Sequence, residues 1–203
     1  MKLFASLTSP YARKIRILLA EKGLPFELVV DSPWEANTRI PTVNPLGKVP
    51  ALVTDDGETF FDSPVIAAYI ETLDSGLPLL PKDPLQAVRV RQIEALADGL
   101  IDAAVLAVLE SRRPTGQRSD MEIDRQIEKV DRSVDELERR AASREWMHGD
   151  TMSLADISVA VALGYLDLRF PDHEWRSAHP ALAALAAHMF ARPSFATTKP
   201  PVS

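Results

Sequence analysis

Residues 50–73 read "PALVTDDGETFFDSPVIAAYIETL", and the way this stretch folds decides the rest. Apolar runs on either side of Asp56-Gly57, a strong turn pair, predict a β-hairpin. Ser63 and Pro64 then set a cap and a proline ahead of "VIAAYIETL", which predicts a helix. The unit is therefore ββα.

Working upstream, "KLFAS" (2–6) predicts a first strand and "FELVV" (26–30) a second. Between them lies "TSPYARKIRILLAEKG" (8–23), an amphipathic helix with Tyr11, Ile15, Leu18 and Leu19 on one face. Arg13, Lys14, Arg16 and Glu21 fall largely elsewhere on that helix. Ser9 stands as its N-cap, Pro10 occupies the first helical position, and Gly23 stops it. An irregular stretch through Pro33, Pro41 and Pro45 leads back to the hairpin. The order is βαβ, a loop, then ββα, within about 75 residues.

Downstream, "DSGLPLLPKDP" (74–84) carries three prolines and a glycine and reads as a linker. Beyond it nearly everything has helical periodicity. Helices are expected over 85–111, over 119–143 with a capping-box pattern at Ser119 and Glu122, and over the mostly apolar 153–168. In the last, Ser153 is the cap, Asp156 returns a bond to it, and Met152 and Ile157 stand at the positions of a hydrophobic staple. A final helix runs through "PALAALAAHMFAR". The expected domains are 1–76 and 85–203, joined by 77–84.

Bulk properties exclude several classes. The chain has 203 residues, 46% of them hydrophobic and 26% charged, the balance of a globular protein with a real core. Its net charge of -6 divides evenly, with 7 basic and 10 acidic residues through Asp74 and 16 and 19 after it, so no basic face points to nucleic acid. No stretch approaches a membrane span or a signal-peptide core, and a cytoplasmic location is the expectation. Cysteine is absent, which removes disulfides, thiolate nucleophiles and thiolate metal sites. The four histidines show no metal-ligand spacing, the glycines form no phosphate loop, and no G-x-S-x-G elbow occurs, so neither a metal nor a nucleotide is implied.

What remains is three short stretches in the first 75 residues: Thr8-Ser9-Pro10, "NPLGKVPAL" (44–52) and "DSPVI" (62–66). In a compact βαβ-ββα domain the two helix N-termini and the Val49-Pro50 turn could share one sheet edge, and helix N-termini favour carboxylates and thiolates. Taken alone, Ser9 and Ser63 are helix caps, Lys48 is a solvated lysine, and Ser153 and Asp156 are structural. Together, and with "SLADISVA" and the closing "HPALAALAAHMFARPSF", they make the chain resemble the cytosolic glutathione S-transferases, most of all small bacterial members that use serine.

That resemblance spans essentially the whole chain and implies a thioredoxin-like N-terminal domain with an all-helical C-terminal one. It also implies site residues. Ser9 matches the catalytic hydroxyl, with Thr8 as the alternative. Val49 matches the residue whose main chain pairs with the cysteinyl part of glutathione, and Pro50 the family's cis-proline. Lys48 would meet the glycyl carboxylate and Ser63 the γ-glutamyl carboxylate. Asp62 stands where Glu or Gln is more usual, which weakens the expected contact with the γ-glutamyl amine. Leu7, Tyr11 and Trp34 are candidates for the electrophile pocket, with core or loop packing the equal alternative, and Asp98 for a contact reaching across a dimer. Glutathione is implied as co-substrate rather than permanent cofactor, an apolar electrophile as second substrate, and a symmetric homodimer as the assembly. Leu96, Leu100, Val105 and Leu109 mark long apolar helix faces that some surface must cover.

The chemistry behind those assignments is thiol ionisation. A free thiol has a pKa near 8.5. Bringing it to about 6.5 takes about 2.7 kcal/mol, within reach of a hydroxyl donating to sulfur and a helix dipole. Serine then serves as an oriented donor and need not ionise. Disulfide exchange requires a protein thiol, which this chain lacks; addition of glutathione sulfur to an electrophile requires only a stabilised thiolate. Two other functions share the fold: a glutathione-dependent isomerase, whose serine-serine-cysteine motif is missing here, and a weakly catalytic carrier of apolar ligands.

Overall fold

The computed structural model describes residues 1–73 and 75–201, so Asp74, where the linker stretch begins, lies outside it. Two compact units emerge: residues 1–80 with 191–203, and residues 81–190.

The first unit holds a four-stranded mixed sheet in the order β2-β1-β3-β4. β1 (Lys2–Ala5) pairs parallel with β2 (Glu27–Val30) and antiparallel with β3 (Ala51–Val53), which pairs antiparallel with β4 (Thr59–Phe60). The parallel pair needs a crossover, and α1 (Pro10–Glu21) supplies it. The hairpin turn closes through Thr54 and Glu58, with Gly57 at φ +88°, a conformation a side chain would strain. α2 (Ser63–Thr72) follows β4, and Phe60 stacks on its Tyr69 with ring centroids 4.2 Å apart.

α1 departs from the simple amphipathic picture. Arg13 and Lys14 are buried, at 7% and 0% exposure, beside the expected Ile15, Leu18 and Leu19. The reason for Arg13 is the chain's own C-terminal segment, which covers that side of the helix. Its guanidinium donates to the Phe195 carbonyl at 3.3 Å and lies over the Phe195 ring. Residues 191–201, placed with the helical region by sequence, thus pack in the first unit. Arg192 grips Glu21 through two bonds of 2.8 and 2.7 Å, and the short α8 (Pro193–Thr197) follows it. Residues 75–80 are also tied here: Lys22 donates to Glu71 and to the Leu77 carbonyl. A Cβ on Gly76 would sit 2.8 Å from the Lys22 Cα, so only glycine allows that approach.

The second unit is helical: α3 (Pro84–Ser111), α4 (Asp120–Ala141), α5 (Leu154–Arg169), the short α6 (Trp175–Ala178) and α7 (Pro180–Phe190). α5 is the axis of its core, with Leu154 through Leu163 all buried. Asp156 fixes its start, accepting from the Ser153 N–H at 2.7 Å, the Ser153 hydroxyl at 2.8 Å and the Met147 N–H at 2.7 Å. The staple residues Met152 and Ile157 are both buried. Among the described residues no helix is long and apolar enough to cross a membrane.

Candidate functional site

The strand registers bring the three singled-out stretches to one edge of the sheet. Phe4 lies across from Ala51, and Leu52 across from Phe60. The Val49–Pro50 turn leads directly into β3 at Ala51, opposite Phe4 near the end of β1, and β4 ends at Phe60, opposite Leu52, before the chain enters α2. The turn that carries Ser9 therefore sits beside the Val49-Pro50 turn and the start of α2.

Ser9 caps α1, and the direction of that bond matters. Its oxygen accepts the Ala12 N–H at 3.2 Å, which uses a lone pair and leaves the hydroxyl proton to be donated. The Ser9 N–H is held by the Ser6 carbonyl at 3.1 Å, which fixes the turn. Thr8 differs, because its hydroxyl lies 3.3 Å from that of Ser6. Both hydroxyls are half-buried.

Residues 44–50 form a second turn. The buried Asn44 side chain accepts from the Leu46 N–H at 3.0 Å and donates to the Lys48 carbonyl at 2.8 Å. The Val49–Pro50 peptide is cis, Pro50 is buried and Val49 half-buried. No backbone hydrogen bond of the described residues outside the helices and sheet ladder involves Val49. Lys48 is exposed.

At the third stretch the capping assignment shifts by one residue. Asp62, not Ser63, is the N-cap of α2, and Ser63 is the first helical residue with Pro64 behind it. Extended backbone at Asp62 explains this, since a cap keeps non-helical angles while its carbonyl takes the first helical bond, here from Ile66 at 2.9 Å. The Asp62 carboxylate makes no capping bond and is exposed; Ser63 is buried, at 2% exposure. As the first helical residue, Ser63 carries an N–H with no partner inside the helix.

The remaining candidates scatter. Leu7 and Tyr11 are half-buried next to the Ser9 turn, whereas Trp34 is 75% exposed in the loop after β2, so burial does not account for it. Asp98 lies half-buried in α3, within the other unit. The described residues contain no group of three or more His, Asp or Glu placed to hold a metal ion. Sequence reasoning passed over Ser6, Asp31, Asn37 and Arg39, which line a polar cavity on the β2 side of the same turn. No motif marks them; the available signal was their position just beyond two parallel strands, where ligands gather in α/β sheets.

A sheet edge that gathers a capped helix start, a cis Val-Pro turn and a second helix start, in a chain with a separate helical unit, defines a thioredoxin-like class of protein. The family models for the glutathione S-transferase N-terminal domain and C-terminal domain match residues 8–73 and 120–188. The chain is 48% identical over 201 residues to the GST-like protein YibF of Escherichia coli strain K12, covering 99% of each. A glutathione S-transferase of Methylobacterium radiotolerans, solved in complex with glutathione sulfonate, superposes with a TM-score of 0.95 at 42% identity, covering 100% of this chain and 95% of that one. One from Methylobacillus flagellatus, solved with glutathione bound, gives a TM-score of 0.96 at 41% identity, covering 98% and 99%. This chain belongs to the glutathione S-transferase family.

Proposed function

We propose that this protein is a glutathione transferase that binds glutathione along the Val49 and Ser63 flank of the sheet edge and ionises its thiol beside Ser9. The observation that carries the reading is the geometry at Ser9: its oxygen closes α1 while, among the described residues, its proton has no acceptor, so capping and donation to sulfur can coexist. Val49 offers main-chain groups to the cysteinyl residue in the manner of an added strand. The α2 start would meet the γ-glutamyl carboxylate at the Ser63 N–H, and the exposed Asp62 carboxylate would meet its ammonium. Lys48 would take the glycyl carboxylate.

The thiolate then attacks an electrophilic carbon of a small molecule. A C–S bond forms, and the displaced electron pair leaves with a departing group or is taken up with a proton after addition to a double bond. The solved relatives with glutathione or glutathione sulfonate bound support the choice of co-substrate. A symmetric homodimer is part of the same proposal.

Calorimetry and conjugation kinetics on Ser9→Ala test it. Loss of one charge-assisted donor, about 1.5–3 kcal/mol, predicts a conjugation rate lower by about 10- to 100-fold with glutathione affinity held within a few-fold. Unchanged turnover would move the role to Thr8 or to main-chain donors. Wild-type protein that binds glutathione but conjugates none of a panel of electrophiles would favour the carrier function instead.

A further inference from the structure

The Ser9 turn has a second flank. Asp31 follows β2 with its N–H on the Ala5 carbonyl at 3.0 Å, so the loop 31–39 begins beside the end of β1. A cavity of about 240 Å³ opens there, lined by Ser6 and by Val30, Asp31, Ser32, Glu35, Asn37 and Arg39. Ser6 is common to the cavity and to the turn, since its carbonyl holds the Ser9 N–H and its hydroxyl meets that of Thr8. This volume is below the roughly 300–1,000 Å³ of a whole ligand pocket, so it suits a head group.

The lining says which head group. Asp31 is already committed, accepting the Thr38 hydroxyl at 2.8 Å and the Arg39 N–H at 2.9 Å, and these bonds shape the loop. Among the described residues, the exposed Glu35 carboxylate and Asn37 amide make no hydrogen bond or ion pair. The Arg39 guanidinium, also exposed and without a hydrogen bond, lies close enough to the Asp31 carboxylate to add to those two bonds in holding it below its ordinary pKa. The Glu35 carboxylate, the Asn37 amide and an Arg39 cation shared with Asp31 line a polar space, which matches a carboxylate and an ammonium carried together.

Resting on the reading above, with sulfur beside Ser9 and the tripeptide on the β3 side, we infer that this cavity is a second-substrate subsite. It selects an electrophile bearing an α-amino-acid head, with the carboxylate on Arg39 and Asn37 and the ammonium on Glu35.

Two experiments test this. In the first, unreactive 4-nitrophenylalanine is titrated into glutathione-free protein, and amide shifts are followed by NMR. Shifts centred on Ser6, Asn37 and Arg39, abolished in Arg39→Gln, are expected; no shift there overturns the subsite. This arm needs no glutathione, so a protein that fails to bind glutathione in calorimetry refutes the preceding reading without touching this one. In the second, 4-chloro-3-nitrophenylalanine is compared with its analogues bearing only the carboxylate, only the ammonium, or neither. Chloride leaves with its electron pair as the C–S bond forms in each case. The amino acid should lead in kcat/KM by about tenfold or more, falling toward the carboxylate analogue in Glu35→Gln. Equal rates across the series overturn the inference, as does Arg39→Gln weakening glutathione itself by the same factor, which would assign the cavity to the tripeptide.

Discussion

Asp156→Ala separates folding from chemistry and can be given a magnitude. The carboxylate is fully buried and accepts two main-chain N–H groups and one hydroxyl, all within 2.8 Å. Truncation strands the Met147 and Ser153 N–H groups, at about 1–2 kcal/mol each, while the Ser153 hydroxyl can turn elsewhere. Part of that loss is offset, because burial pushes the Asp156 carboxyl above its ordinary value and its hydrogen bonds only partly counter this. A net destabilisation of about 2 kcal/mol remains, which lowers the melting temperature of a chain this size by about 4–8 °C. Calorimetry would measure it, with hydrogen exchange along α5 confirming that the second unit is the one affected. A loss under about 1 kcal/mol would refute the claim that this carboxylate fixes the start of the central helix. Glutathione affinity at a temperature where the variant remains folded should be unchanged, since Asp156 lies in the helical unit.

Two pH responses of opposite sign follow from ion pairs. Glu21 is held below the usual glutamate range, chiefly by the Arg192 guanidinium against a burial cost, with the Ser194 hydroxyl adding to it. A lowered pKa contributes stability above the unfolded value that is lost as pH falls through the folded one, so the 192–198 segment should loosen below about pH 4. Glu21→Gln should loosen it at neutral pH, read as faster hydrogen exchange in that segment; unchanged exchange would remove the clasp. His179 runs the other way. Burial disfavours its charged ring, but the Asp135 carboxylate, the Trp175 carbonyl and Glu138 outweigh burial and raise its pKa. Its two nitrogens lie 2.9 Å from Asp135 and 2.7 Å from the Trp175 carbonyl, and only imidazolium donates to both. That stability is present below about pH 6.5 and fades as pH rises through the folded value. An NMR titration placing the His179 pKa below that of a free histidine would contradict it.

The legible part of this fold was periodic or capped. The α5 start could be read residue by residue because a capping box is a local device, closed within four positions. The hairpin could be read from Asp56-Gly57 for the same reason. What sequence did not disclose was long-range: the burial of Arg13 depends on Phe195, more than 180 positions away, and no local pattern couples them. Ser63 was misread as a cap because serine before proline looks the same whether the helix begins at it or after it; the backbone angles of Asp62 decide. The candidate site was legible as three motifs, since each sits at the start of a helix or strand, while the cavity residues lie in a loop with neither period nor motif.

The absence of cysteine gives the serine its chemical interest. With no thiol at a helix N-terminus, this chain cannot attack a disulfide itself; any sulfur chemistry has to be brought in by the ligand. On the proposed reading the same helix start serves as a static field rather than a reactive group, and a hydroxyl suits that use because it can accept and donate at once. Ser9 accepts from Ala12, which points its lone pair into the helix and keeps its proton directed away from that bond. Alanine would lose both the capping, about 1 kcal/mol, and the proposed donor to sulfur. Threonine would keep both if its methyl is tolerated, so Ser9→Thr should retain conjugation where Ser9→Ala loses it. Asparagine caps as well as serine, yet its amide is a bulkier donor, so Ser9→Asn should preserve thermal stability while conjugation falls. Stability and turnover that fell in parallel across all three variants would mean the residue acts through the fold alone.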